Sequence, residues 1–249
     1  MSVFAPAKSI LLVEDEPTLQ RILGSVLGDA GHRVEAVGTA EQALERLDDG
    51  ADVDLVLTDK NLPRRNGLEL LAELRAAERA GRRPIGVVMV TGYPSRDSVA
   101  QALGDDVDGY LIKPFRSLSQ TVEQVQRVLD ADLVARRAAT ALARRIAAAL
   151  RGDDALGAVG GTAVSVLGLE NAARALRAAG AVVGDVATLH TATVVVASRI
   201  EDLVVASQQR PGISCVLVDA GATFADIVEL IGIGGGVVVD GHLIAGGEL

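Results

Sequence analysis

Short apolar runs alternate with longer stretches whose apolar positions recur every three or four residues, and between Ser9 and Phe115 this alternation repeats five times. The runs are Ile10-Leu11-Leu12-Val13, Leu55 to Thr58, Ile85 to Val90 and Val107 to Ile112, with Arg33 to Val37 as a more polar second strand. A continuous apolar run, rather than an in-out alternation, marks a strand covered on both faces, as in a parallel sheet. Between the runs lie helical patterns. Pro17 opens one that carries Leu19, Ile22, Leu23, Val26 and Leu27. Thr39-Ala40-Glu41-Gln42 is a capping box for a second, which runs through Leu47. A third covers about Gly67 to Ala80, and Ser95 starts a short one to Leu103. Gly31, Gly50 and Gly81 stop the first three. Five such units predict an α/β domain, a doubly wound five-stranded parallel sheet with right-handed crossovers.

The pattern changes at Ser117. No Gly or Pro occurs from Arg116 to Arg151, and Ser117 to Gln120 is a capping box, so the sequence predicts one helix from Leu118 to Arg151, roughly 50 Å long. Val122, Val125, Leu129 and Leu133 would pack it on the sheet, while Leu142, Ile146 and Leu150 continue beyond. That second half reads either as a linker or as a dimerising, signal-transmitting helix. Residues 153–249 form a second, smaller α/β pattern: strands at Thr162 to Leu167, within Val182 to Ala197, at Ile213 to Asp219 and at Val237 to Val239, with helices at Glu170 to Ala179, Ser198 to Gln209 and Thr223 to Ile231. The expected organisation is residues 1–130, a helical linker over 131–152, and a second domain over 153–249. A faint repeat links the two halves, since Thr39 to Asp59 and Ser198 to Asp219 both read cap, helix, loop, strand, aspartate.

Bulk properties narrow the function. A net charge of −9 argues against a nucleic-acid face. The single cysteine, Cys215, excludes an internal disulfide and most zinc sites and fits a reducing cytoplasm. No apolar run approaches the length of a membrane span, and Met1 to Ser9 is too short and mixed for a signal peptide.

Polar residues gather where the first domain's strands end. Glu14 and Asp15 follow the first strand, Asp59 ends the third, Thr91 the fourth, and Lys113-Pro114 follows Tyr110-Leu111-Ile112 of the fifth. In open α/β sheets these C-terminal strand ends form the ligand crevice. Singly, each residue has a plain reading: Asp15 or Glu16 as a helix cap, Thr91 as a strand-end hydroxyl, Lys113 as a solvated lysine. Jointly that reading is poor. Three clustered carboxylates raise each other's pKa unless a cation is bound, and carboxylate oxygens with a backbone carbonyl suit Mg²⁺. The chain has only three lysines, so one at this spot carries information.

The pattern over about residues 8–130 resembles the response-regulator receiver domain of bacterial two-component signalling. The matching motifs are Val13-Glu14-Asp15-Glu16, Asp59 with Leu62-Pro63 and Asn66-Gly67, Val90-Thr91-Gly92, and Gly109-Tyr110-Leu111-Ile112-Lys113-Pro114-Phe115. The resemblance implies a flavodoxin-like sheet of order 2-1-3-4-5 and a signalling protein rather than an enzyme with an outside substrate. It implies Asp59 as acceptor of a phosphoryl group from a sensor histidine kinase or phosphotransfer protein. Asp15, Asp59 and the Asn61 carbonyl would bind Mg²⁺ directly, with Glu14 acting through water. Lys113 would pair with the phosphoryl group, Thr91 and Tyr110 would switch, and Lys113-Pro114 would be cis. The responding face would span about 95–131, and Asn61 and Tyr93 would tune dephosphorylation.

Residues 153–249 carry no such motif. Through the repeat they resemble a degenerate, truncated receiver. Gly168-Leu169-Glu170 stands where the acidic pair belongs, no lysine is present, and Asp219 lacks a pocket. The expected output is therefore a protein contact through the 95–131 face or the second domain, with a homodimer among the options and no nucleic acid or membrane. The alternative is an unrecognised ligand-binding or catalytic activity in residues 153–249 that phosphorylation gates.

Overall fold

Valine- and leucine-rich runs favour extended backbone because their side chains pack well on a pleated, half-buried surface. In the computed structural model each run of the first half is a strand of one parallel sheet. The structure describes residues 7–92, 107–115, 117–151, 159–210, 213–218, 230 and 236–239. They fall into two compact units that part between Leu133 and Val134.

The first unit runs β1 (Ser9–Val13), α1 (Pro17–Asp29), β2 (Arg33–Val37), α2 (Ala40–Asp48), β3 (Leu55–Asp59), α3 (Gly67–Arg79), β4 (Gly86–Thr91), β5 (Gly109–Ile112) and α4 (Leu118–Leu129). Sheet order is β2-β1-β3-β4-β5, all parallel. Ile10, Leu12, Leu55, Leu57, Val88 and Val90 line one face, closed by Leu23 and Leu27 of α1 and by Val125 and Val128 of α4. Each buried aliphatic side chain contributes about 1.5–3 kcal/mol of transfer free energy. Glycine decides how near α4 can come: a Cβ on Gly86 or Gly109 would lie 2.9 or 3.1 Å from a Val128 methyl. Near the start of β5, Arg75 of α3 and Asp108 pair at 2.8 Å with almost no exposure, and Asp108 also accepts the Val87 N–H.

The second unit is built on α5 (Leu133–Arg151), β6 (Ala163–Leu167), α6 (Glu170–Ala178), β7 (Val182–Gly184), a single 3-10 turn (Val186–Thr188), β8 (Val194–Ala197), α7 (Ile200–Gln209), β9 (Ser214–Val218) and β10 (Gly236–Val239). Its sheet, here sheet B beside the sheet A of the first unit, is also parallel and five-stranded, in the order β10-β9-β8-β6-β7. One face is closed by α5 and α6, through Ile146, Leu150, Ala172 and Leu176. The other is closed by α7, with Leu203 in one cluster with Cys215 and Leu217.

Three expectations change. The helix from Leu118 to Arg151 is not continuous. It stops at Leu129, with Asp130 as its C-cap, and resumes at Leu133. Aspartate is a weak helix former, and two of them, at 130 and 132, fall at the break; the two halves also turn their apolar sides to different cores. The segment expected as linker is therefore a core helix of the second unit. Second, the repeat was out of step by one strand. Strand β9, which Asp219 follows, pairs with β8 and β10, whereas β3 pairs with β1 and β4. Sheet B is also not cut short, because β10 supplies a fifth strand. Third, α7 has Arg199 as its N-cap and no side-chain cap bond, so the expected Ser198 capping box does not form. The expected helices at 95–103 and 223–231 lie outside the described residues, apart from helical Leu230.

Candidate functional site

The register of sheet A fixes the site. Val13 lies beside Thr58 and Asp59 beside Val90, while Thr91 lies beside Ile112, so four strand ends open on one edge. Strand β1 is the switch point, with β2 on one side and β3 on the other. Glu14 continues β1, its N–H donating to the Val37 carbonyl at 3.1 Å. Gln20 of α1 donates to the carbonyls of both Glu14 and Val37, at 2.5 and 3.2 Å, and ties the ends of β1 and β2 together. Asp59 ends β3 and accepts the Asn61 N–H at 2.8 Å. The chain then turns into α3, where Asn66 caps the helix with a complete capping box to Glu69. Gly67 is required there, since a Cβ would collide with the Asp59 carbonyl oxygen.

Glu14, Asp15 and Asp59 each offer a carboxylate oxygen within 4.8 Å of the others. Glu14 and Asp59 are buried and Asp15 is exposed. Lys113 follows β5, just before a cis peptide bond to Pro114, and places Nζ 2.7 Å from Glu14 Oε2 and 2.5 Å from Asp59 Oδ2. Burial pushes the Glu14 carboxyl above its ordinary range, against the opposing pull of Lys113. Burial by itself lowers the Lys113 ammonium, but hydrogen bonds and charge from Asp59 and Glu14 outweigh it and the net shift is upward. Three carboxylates face one ammonium, so the edge keeps an excess of hard anionic oxygen donors, a set that fits Mg²⁺.

Thr91 is fully buried at the end of β4, and Tyr110 is 1% exposed in β5, its ring inside the fold. Asn61 is exposed beside Asp59. Tyr93, like all of the 95–131 face before Val107, lies outside the described residues. Glu14, Asp15, Asp59 and Lys113, singled out from the sequence, do come together at one edge. Gln20 was missed, although its side chain bonds two carbonyls from different strands; an amide four residues into an amphipathic helix gives no local sign of this. The sharing of Lys113 between Asp59 and Glu14 was missed as well.

The strand order, the switch-point location and an acid cluster with a facing lysine describe one kind of α/β domain, and comparison with known proteins gives its family. The response regulator receiver domain model matches residues 10–126. Chemotaxis protein CheY1 of Helicobacter pylori J99 is 38% identical over 109 residues, covering 43% of this chain and 85% of that protein. Chemotaxis protein CheY of Pseudomonas aeruginosa is 36% identical over 119 residues, covering 47% and 94%. A solved CheY-like receiver from Methanospirillum hungatei JF-1 is 28% identical, covers 50% of this chain and 94% of its own, and has a TM-score of 0.45. The chain belongs to the response-regulator receiver family. Members of that family are phosphorylation-dependent signalling proteins that work with histidine kinases or phosphotransfer partners and bind Mg²⁺ at an acidic pocket. No helix among the described residues is long and apolar enough to cross a membrane.

Proposed function

We propose that residues 1–130 accept a phosphoryl group on Asp59 and that residues beyond them pass the change on through contact with another protein. The observation that carries this is the pairing of Asp59 with Lys113 at the one edge that also holds Glu14 and Asp15. An Asp59 carboxylate oxygen attacks phosphorus, the N–P bond to the donor's imidazole breaks, and that imidazole leaves with the nitrogen lone pair and takes up a proton. Asp15, Asp59 and the Asn61 carbonyl would hold Mg²⁺, with Glu14 acting through water. When bound, the ion offsets the charge that builds on the equatorial phosphoryl oxygens. Lys113 keeps the acceptor in place before transfer and pairs with the phosphoryl oxygens after it. Thr91 hydrogen-bonds the new group, and Tyr110, already inside the fold, holds the interior position that goes with it. Such contacts exist only in the modified state, so they shift a two-state equilibrium.

A histidine kinase or phosphotransfer protein is the donor, the reaction belongs to the cytoplasm, and the output is neither DNA binding nor membrane attachment; the chain's net charge of −9 supports the absence of a DNA partner. The partner contact runs through the 95–131 face or through residues 153–249, and a homodimer is one form the output takes. The test is labelling with a small phosphodonor and Mg²⁺. Wild type gains one base-labile, hydroxylamine-sensitive phosphoryl group per chain and Asp59→Asn gains none. If Asp59→Asn labels fully, the assignment is wrong.

A second reading, in which the C-terminal residues bind a ligand under phosphorylation control, has one observation in its favour. An open cavity of about 660 Å³ lies between α6 and β7, lined by Glu170, Arg177, Asp185 and Thr188 among others. Stabilisation by a nucleotide in a thermal-shift panel, lost in Arg177→Ala, supports this reading over the first.

A further inference from the structure

We infer that the second unit is itself a receiver fold, circularly permuted so that its last helix comes first, and that it is silent to phosphorylation because Ser198 stands where the acceptor would be. Relabelling the strands of sheet B by pairing gives the order of sheet A, with β7-β6-β8-β9-β10 for β2-β1-β3-β4-β5. The registers align residue by residue. Ile10 lies beside Leu55 as Val164 lies beside Val194, and Leu55 beside Gly86 as Val194 beside Ser214. Carried along the strands, this equates Leu57 with Val196 and Val90 with Val218. Each pair occupies the same face of its own core.

That face needs two helices. In sheet A they are α1, which follows the first strand, and α4, which follows the last. In sheet B they are α6, which follows β6, and α5, which precedes it. Helix α5 therefore does for sheet B what α4 does for sheet A, from the opposite end of the unit. The contact at matching positions agrees. Gly86 lies under Val128 of α4, and its counterpart Ser214 donates its Oγ–H to the Ala139 carbonyl of α5 at 2.8 Å. A parallel sheet needs its face covered but does not dictate which chain end supplies the cover, so this permutation leaves the layering intact.

The same register locates the missing chemistry. Val13 corresponds to Leu167, so Gly168 and Leu169 replace Glu14 and Asp15. Gly168 has φ +72, and Leu169 is 7% exposed within the core. Thr58 corresponds to Ala197, so Ser198 replaces Asp59. Residues 152–249 contain no lysine to answer Lys113. None of the positions that match Glu14, Asp15 and Asp59 carries a carboxylate, and no lysine for a phosphoryl group is present. This unit keeps the scaffold of a receiver without its phosphoryl chemistry.

Two measurements on the full chain test the inference. Beryllium fluoride with Mg²⁺, followed by ¹⁹F NMR, probes both acceptor positions. One bound equivalent in wild type and none in Asp59→Asn is expected. An equivalent retained by Asp59→Asn overturns the silent assignment, whereas no binding even in wild type counts against the Asp59 proposal above instead. Amide exchange tests the permutation. Ile146→Ala should speed exchange across β6, β8 and β9 by about 30-fold or more, the factor that about 2 kcal/mol represents, while beryllofluoride binding at Asp59 is unchanged. Leu150→Ala, in the same cluster, is the second variant and should act in the same direction. If neither variant changes sheet-B exchange, α5 is a linker and the permuted fold is wrong.

Discussion

Sheets A and B share strand order and parallel register, yet only sheet A ends in chemistry among the described residues. At the ends of the first strands Asp15 is exposed and open to an ion, while Leu169 is turned into a hydrophobic core. On the next strand end, Asp59 shares Lys113 with Glu14, while Ser198 has only an apolar strand behind it. A scaffold supplies edges, and a few side chains at those edges decide whether phosphoryl chemistry is possible.

The largest effect should come from exchanging the first pair of residues. Leu169→Asp removes a core side chain and leaves a buried carboxylate without a partner, so the second unit should lose about 3–5 kcal/mol by denaturant melting. The reciprocal Asp15→Leu sits on an exposed site and should stay within about 0.5 kcal/mol of wild type, while Mg²⁺-dependent phosphodonor labelling is lost. Equal destabilisation by the two would break the comparison.

Arg75→Ala tests a lock that belongs to the first unit. It removes the ion-pair partner of buried Asp108 and should cost about 3–5 kcal/mol there, with exchange in β4 and β5 rising together. Gly236 occupies the matching register in sheet B, so the second unit should not respond.

Cys215 gives the second unit an alkaline weakness at a place where the first has Val87. Burial raises the thiol from 9.0 to about 12. The unfolded thiol ionises first, so stability is intact below about pH 9 and falls as pH rises toward 12. The loss reaches about 4 kcal/mol at roughly 1.36 kcal/mol per unit. Urea melts of Cys215→Ala across that range should lack this slope.

The smallest effect distinguishes the helix caps. Asn66→Ala breaks a capping box and should cost about 1 kcal/mol in the first unit. Arg199→Ala removes no cap bond from α7 and should change stability by less than about 0.5 kcal/mol.

Much of the first unit was legible because its signals are local. Gly31, Gly50 and Gly81 end helices in the sequence and all have positive φ in the structure. Thr39 sits where a cap forms. The shared Lys113 was not legible, because its two partners are 54 and 99 residues away. In the second unit the words Val56-Leu57-Thr58-Asp59 and Val216-Leu217-Val218-Asp219 look alike, yet they belong to the third and fourth strands of their sheets. Apolar run followed by aspartate is common to any buried strand that ends in a turn. Likewise α5 reads as an ordinary amphipathic helix, and periodicity reports an apolar face without saying which sheet it covers.

By itself, the sequence determined the element types, the parallel class of the first sheet and the residues gathered around Asp59, since each follows from side-chain pattern within a few positions or from motif spacing. The tertiary structure alone decided that α5 belongs to the second core, that Ser198 rather than Asp219 matches Asp59, and that Lys113 joins two carboxylates. Those facts depend on which strands lie side by side, and pairing between distant segments leaves no local mark on either one.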